Sequence, residues 1–118
     1  MRVRTKALWT NEAMLIATGT YRSAAIRTLE LAGEASLLVV TSAGSLALTY
    51  QVSDDETNWY DPEDTAGAAL GGINAAVTVG SNWIVFNPSL ARYTRIVAVL
   101  TGANSTVSMT FRLSEESY

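Results

Sequence analysis

A chain of 118 residues, 48% hydrophobic and only 16% charged, can bury one real core and is too short for two comfortable ones. Its formal charge of −3, from eight Lys and Arg against eleven Asp and Glu, argues against a nucleic-acid-binding domain, which presents a concentrated basic face. With no cysteine and no histidine, disulfides, a thiolate nucleophile, a Cys-type zinc site and a Ser-His-Asp triad are all excluded.

Residues 1–6 read as an extended N-terminal arm. In it Arg2, Arg4 and Lys6 alternate with Val3 and Thr5, so a straight backbone turns the three cations one way. The apolar segment Ala13 to Ala17 is too short for a signal-peptide core, and no signal peptide is expected. A strand or strand pair is expected between Ala7 and Thr18, with Asn11-Glu12 as a turn or bulge and Gly19 ending it. Ala24 to Leu31 reads as the next strand, closed by Ala32-Gly33-Glu34. Ser36 to Thr41 reads as a more buried strand, closed by Ser42-Ala43-Gly44-Ser45.

Leu46 to Ser53 alternates strictly. Leu46, Leu48, Tyr50 and Val52 fall on a buried face, and Ala47, Thr49 and Gln51 point outward. From Asp54 to Gly72 the pattern is lost in a long loop interrupted by Trp59-Tyr60. This loop holds six of the eleven acids: Asp54, Asp55, Glu56, Asp61, Glu63 and Asp64. The alanine-rich stretch Thr65 to Ala76 contains Gly67, Gly71 and Gly72, which argue against a helix. Ala75 to Val79 and Trp83 to Phe86 read as strands of a hairpin around Gly80-Ser81-Asn82. A corner at Asn87-Pro88-Ser89-Leu90 follows. Arg92 to Leu100 is a long strand, Thr101-Gly102-Ala103-Asn104 a tight turn, and Ser105 to Leu113 a final alternating strand with Val107, Met109, Phe111 and Leu113 inward.

About eight short strands with turn signals between them predict an all-β fold, an antiparallel, jelly-roll-like β-sandwich over residues 7–114, with a polar tail over 115–118. The apolar runs Leu37 to Val40 and Ile96 to Leu100 are far too short to span a bilayer, and no membrane partner is expected.

The order Tyr50-Gln51-Val52-Ser53-Asp54-Asp55, Asn58-Trp59, Phe86-Asn87-Pro88, Arg92-Tyr93-Thr94-Arg95-Ile96 and Val107-Ser108-Met109-Thr110-Phe111 resembles the small β-sandwich virion proteins of tailed bacteriophages. The turn is also similar to the Ser-x-Asp-Gly-x-x-Trp turn of lectin-like and discoidin-like sandwiches. Glu56 stands at the glycine position, and because glutamate resists positive φ an altered turn is expected there. The resemblance implies a non-enzymatic virion component, assembled in the host cytoplasm. The implied role is a capsid decoration or cement protein that binds the major capsid protein or other virion proteins and forms a homo-oligomer, with a trimer favoured. The alternative is a carbohydrate- or receptor-binding module associated with the tail or fibre.

Candidate partner contacts are Arg2, Arg4, Lys6, Asp54, Asp55, Glu56, Trp59, Tyr60, Arg92 and Arg95. Asp54, Asp55, Asn58, Asp61 and Asp64 could offer oxygen ligands to calcium, but their spacing does not match an EF-hand, so no metal or other cofactor is expected. Paired loop acids could also suit glycoside hydrolysis, which needs them across a cleft that the sequence does not reveal. Trp9, Trp59 and Trp83 with Tyr60 could form a sugar-stacking platform, although Trp83, inside a strand, reads as packing. Arg95 shares a face with Tyr93, Val97 and Val99. It is expected either to pair with an acid such as Asp54 or Asp61 or to bridge to another subunit.

Overall fold

Period-two alternation gives each strand one dry face and one wet face, and two such faces must be closed against each other. The structure, a computed structural model, describes the backbone of residues 2–7, 14–28, 31–88 and 91–115, and the side chains of 17–28, 34–88 and 91–113. In chain order the strands are β1 (Arg2–Ala7), β2 (Met14–Ile16), β3 (Gly19–Arg22), β4 (Ile26–Arg27), β5 (Leu31–Thr41), β6 (Ser45–Ser53), β7 (Gly72–Val77), β8 (Gly80–Phe86), β9 (Tyr93–Thr101) and β10 (Ser105–Glu115).

All pairings are antiparallel and fall into two sheets, β1-β10-β5-β8 with β2 also on β10, and β3-β9-β6-β7 with β4 also on β9. β1 lies along residues 110–115 of β10 and β2 along 105–107, so the two share one edge position. β3 and β4 share the equivalent edge of β9. Each sheet therefore has four strand positions. The chain visits the sheets in the order first, second, first, second, second, first, second, first, which is a jelly-roll sandwich.

The core lies between the sheets. Leu37 and Val39 of β5 and Val107, Met109, Phe111 and Leu113 of β10 face Leu46, Leu48 and Tyr50 of β6 and Ile96, Ala98 and Leu100 of β9. Rings tie the layers together: Phe86 meets Phe111 edge-on at 5.9 Å within the first sheet and Tyr50 of the second at 5.7 Å. Val52 is only half-buried, because the alternation slips at the end of β6 and Ser53 takes the inner place.

Three expectations are corrected. Residues 2–7 are not a free arm but an edge strand, with Arg2, Arg4 and Lys6 at the register positions opposite Glu115, Leu113 and Phe111. The closure expected at Ala32-Gly33-Glu34 does not occur. β4 ends at Arg27, and β5 runs through Gly33, with four steps of β5 (Ala35 back to Leu31) spanned by two of β10 (Leu113 to Glu115). That irregularity is what a glycine within a strand commonly marks. The third correction concerns Gly80-Ser81-Asn82, which is not a hairpin turn. β7 and β8 belong to opposite sheets, the link at Thr78-Val79 arches across the sandwich, and Asn82 Nδ2 donates to Thr78 O at 2.9 Å to close it. The expected element at Asn11-Glu12 and the corner residues Ser89 and Leu90 lie outside the described residues.

Candidate partner-binding site

The segment after β6 is two successive turns, each organised by an aspartate. Asp55 Oδ1 accepts the Thr57 amide at 2.9 Å, the Asn58 amide at 2.8 Å and the Ser53 hydroxyl at 3.0 Å, while Oδ2 accepts Asn58 Nδ2 at 2.7 Å. Ser53 Oγ in turn accepts the amides of Asp55 and Glu56, at 3.2 and 3.0 Å. The Asn58 and Thr57 amides, then the Asn58 and Ser53 side chains, hold the Asp55 carboxyl well below the usual carboxylate range. Glu56 has φ of 61°, so the turn takes the left-handed conformation that a glycine would supply. The altered turn expected from glutamate is thus corrected: six hydrogen bonds from Ser53 and Asp55 fix the geometry, and Glu56 bears the strain.

The chain then returns along β6. Val52 and Tyr60 exchange backbone hydrogen bonds at 3.0 Å, and Tyr50 N donates to Gly71 O at 2.9 Å. Between them Asp64 Oδ1 accepts the amides of Ala66 and Ala68, at 2.8 and 2.9 Å, to make the second turn. Asp54, Asp55, Asn58 and Tyr60, together with Val52, Ser53 and Ala91, line an open cleft of about 270 Å³. Tyr60 is 63% exposed at its lip.

Beside this turn, on the outer face of the second sheet, a relay crosses β6 and β9. Arg95 Cζ sits 4.5 Å from the centre of the Trp59 ring, Arg95 Nε donates to Gln51 Oε1 at 2.9 Å, and Gln51 Nε2 donates to Asp61 Oδ1 at 3.0 Å. Desolvation lowers the Arg95 guanidinium from its ordinary value and neighbouring Arg22 adds to the lowering, while Asp61 opposes it. Arg95 therefore reaches its acid through Gln51 rather than by a direct ion pair.

Asp54, Asp55, Glu56, Trp59, Tyr60 and Arg95 are brought together at this end of the second sheet. Arg92 is exposed near it, next to the cleft residue Ala91, and its carbonyl accepts the Thr28 amide at 2.8 Å. Arg2, Arg4 and Lys6 are placed in the other sheet, and their side chains, like Trp9, lie outside the described residues. Among the described residues no three acidic side chains gather into a group able to hold a metal ion.

Trp83, read as core or interface packing, is not in the core. Trp83 is 58% exposed on the outer face of the first sheet, with Val85 at 52% beside it and Arg112 Cζ 4.6 Å from its ring centre. In Asn82-Trp83-Ile84-Val85-Phe86 both faces are apolar, so alternation alone does not tell them apart. The bulky pair Ile84 and Phe86 faces the core, which turns Trp83 and Val85 outward.

No protein-family model matches the chain, and no curated protein matches it. Among solved structures, the crystal structure of the SPBc2 prophage-derived protein YomS is similar with a TM-score of 0.56 at 12% identity, over 94% of this chain and 93% of that one. The crystal structure of PirA gives a TM-score of 0.41 at 14% identity, over 93% and 92%. At these identities the likeness to YomS is one of fold.

Proposed function

We propose that this protein is a non-enzymatic structural component of a bacteriophage particle, a capsid decoration protein that binds the major capsid protein and further copies of itself. The observation that carries this reading is the jelly-roll sandwich it has in common, over nearly the whole of both chains, with a protein described as prophage-derived. The chemistry of the chain agrees with it. Histidine and cysteine are absent, and two of the clustered acids, Asp55 and Asp64, are engaged in holding their own turns. Contact with the shell runs through the end of the second sheet, where Asp54, Glu56 and Tyr60 are exposed beside Arg92. Neither nucleic acid nor membrane is a partner in this reading. Co-sedimentation with capsid shells of the phage whose genome carries this gene tests it: saturable binding weakened at least tenfold by Tyr60→Ala with Asp54→Ala is expected, and a protein that stays in the supernatant sinks it.

A second reading, a carbohydrate-binding module, draws on one observation: Tyr60 stands exposed over a polar cleft formed by Asp54, Asp55 and Asn58, in a turn whose glycine-like geometry is kept at Glu56. Reproducible binding on a glycan array, lost in Tyr60→Ala and Trp59→Ala, would select it over the capsid reading.

A further inference from the structure

Two of the edges of the two sheets are visibly guarded among the described residues. The edge on β9 breaks between β3 and β4 at Ser23, whose hydroxyl takes the Ile96 amide at 2.9 Å. β7 is irregular against β6 at two points, and Asn74 Oδ1 takes the Ala76 amide at 2.9 Å. Bulges and breaks of this kind prevent an edge from recruiting a further strand.

β8 has none of these devices. It pairs with β5 in one unbroken register from Gly80 opposite Thr41 to Phe86 opposite Ala35. On its other side, among the described residues, no backbone hydrogen bond is made from Ser81 to Phe86. Its sequence, Gly-Ser-Asn-Trp-Ile-Val-Phe, holds no charge and no proline. A row of free N–H and C=O groups is matched by a strand, not by a small ligand. The side chains next to this row are those that anchor protein interfaces: an exposed Trp83 held in place by Arg112, with Val85 alongside and Val79, 60% exposed, just before the strand.

We propose that β8 pairs antiparallel with β8 of a second copy about a two-fold axis, joining the two first sheets into one continuous sheet. A two-fold pairing is self-complementary, and this strand suits it: centred on Trp83, indole lies beside indole, Ser81 beside Val85 and Asn82 beside Ile84, with no like charges brought face to face. Arg112 pins one face of each indole, so little side-chain freedom is lost on contact. This inference names the surface for the self-association in the proposed function and rests on that part of it alone.

Light scattering on the purified full chain tests the pairing. The wild type is expected at twice the protomer mass, and Trp83→Lys and Trp83→Glu each at the protomer mass with the circular dichroism of the folded chain. An equimolar mixture of the two is expected to regain the doubled mass, because opposite charges then meet across the axis. Should either variant fail to fold, Val85→Lys, at a 52% exposed position, takes its place and is expected at the protomer mass. A wild type at protomer mass, a trimer or larger ring, or a dimer that survives these charges overturns the proposal. Pelleting with capsid shells separates the two readings: a monomer-only wild type that still pellets removes the edge pairing and keeps the particle, whereas a β8 dimer that never pellets does the reverse.

Discussion

At the residue scale the informative side chains are Ser53, Asp55 and Glu56. A turn whose amides are all collected by one serine and one aspartate is over-determined, and that surplus of hydrogen bonds holds a glutamate at φ of 61°. Glu56→Gly removes the Cβ clash while adding freedom to the unfolded chain, and is expected to raise stability by up to about 1 kcal/mol. Glu56→Ile is expected to lower it by about 1–2 kcal/mol, both read from denaturant midpoints. Asp55 has a carboxyl depressed below its ordinary value of 3.8, so it binds a proton less readily folded than unfolded. Its contribution is complete above that ordinary value and fades as pH falls below it towards the folded value. Acid titration of the unfolding midpoint should therefore show a fall below about pH 4 that is smaller in Asp55→Asn, which is less stable than wild type at pH 7. Ser53, Asp55 and Trp59 were legible as a turn motif because their chemistry is local. Trp83 was not, because its side of β8 is settled by packing between sheets, which no window of five residues contains.

At the element scale the connections between strands, rather than the strands, decide the topology. β6 and β10 follow from alternation almost residue for residue, since each has one apolar and one polar face, whereas β9 carries Val97 and Val99 on its outer face and Ile96 and Leu100 on its inner one. The links are not legible where the chain crosses between sheets: a Gly-containing turn signals a change of direction but not whether the next strand joins the same sheet. The β5–β6 and β9–β10 arches show how such crossings are fixed. Ser105 Oγ lies 2.7 Å from Thr41 Oγ1 and accepts the amides of Ser42 and Ala43 at 3.1 and 3.2 Å, and Ser42 Oγ accepts the Thr106 amide at 2.9 Å. Gly44, at φ of 72°, allows this approach, because a Cβ there would stand 2.7 Å from Thr101 O and 2.8 Å from Ala103 O. Gly44→Ala is thus expected to cost about 2 kcal/mol or more, through both backbone strain and overlap with two carbonyls, in thermal or urea unfolding. Ser105→Ala leaves the Ala43 amide without its acceptor, while the Ser42 amide keeps Thr106 O at 3.1 Å, and is expected to cost about 1–3 kcal/mol by the same measurement.

At the scale of the whole molecule, β5, β8 and β10 of the first sheet pack through the core onto β4, β6, β7 and β9 of the second, and in a jelly roll neither sheet is contiguous in sequence. Neither half can then form its ladder without drawing in segments from both ends of the chain. Such non-local pairing implies one cooperative transition with slow folding for a chain of this length. Two tryptophans report on the two sheets separately: Trp83 on the outer face of the first and Trp59 against Arg95 on the second. Variants that keep only Trp83 or only Trp59, the other indoles replaced by Phe, should unfold in urea with coincident fluorescence midpoints. Phe111 is fully buried and linked through Phe86 to Tyr50. Phe111→Ala, placed in each background, should lower both midpoints together by the equivalent of about 3–5 kcal/mol. If the Trp83 signal moves while the Trp59 signal stays, the sheets are separable units and the aromatic bridge between them is not what couples the fold.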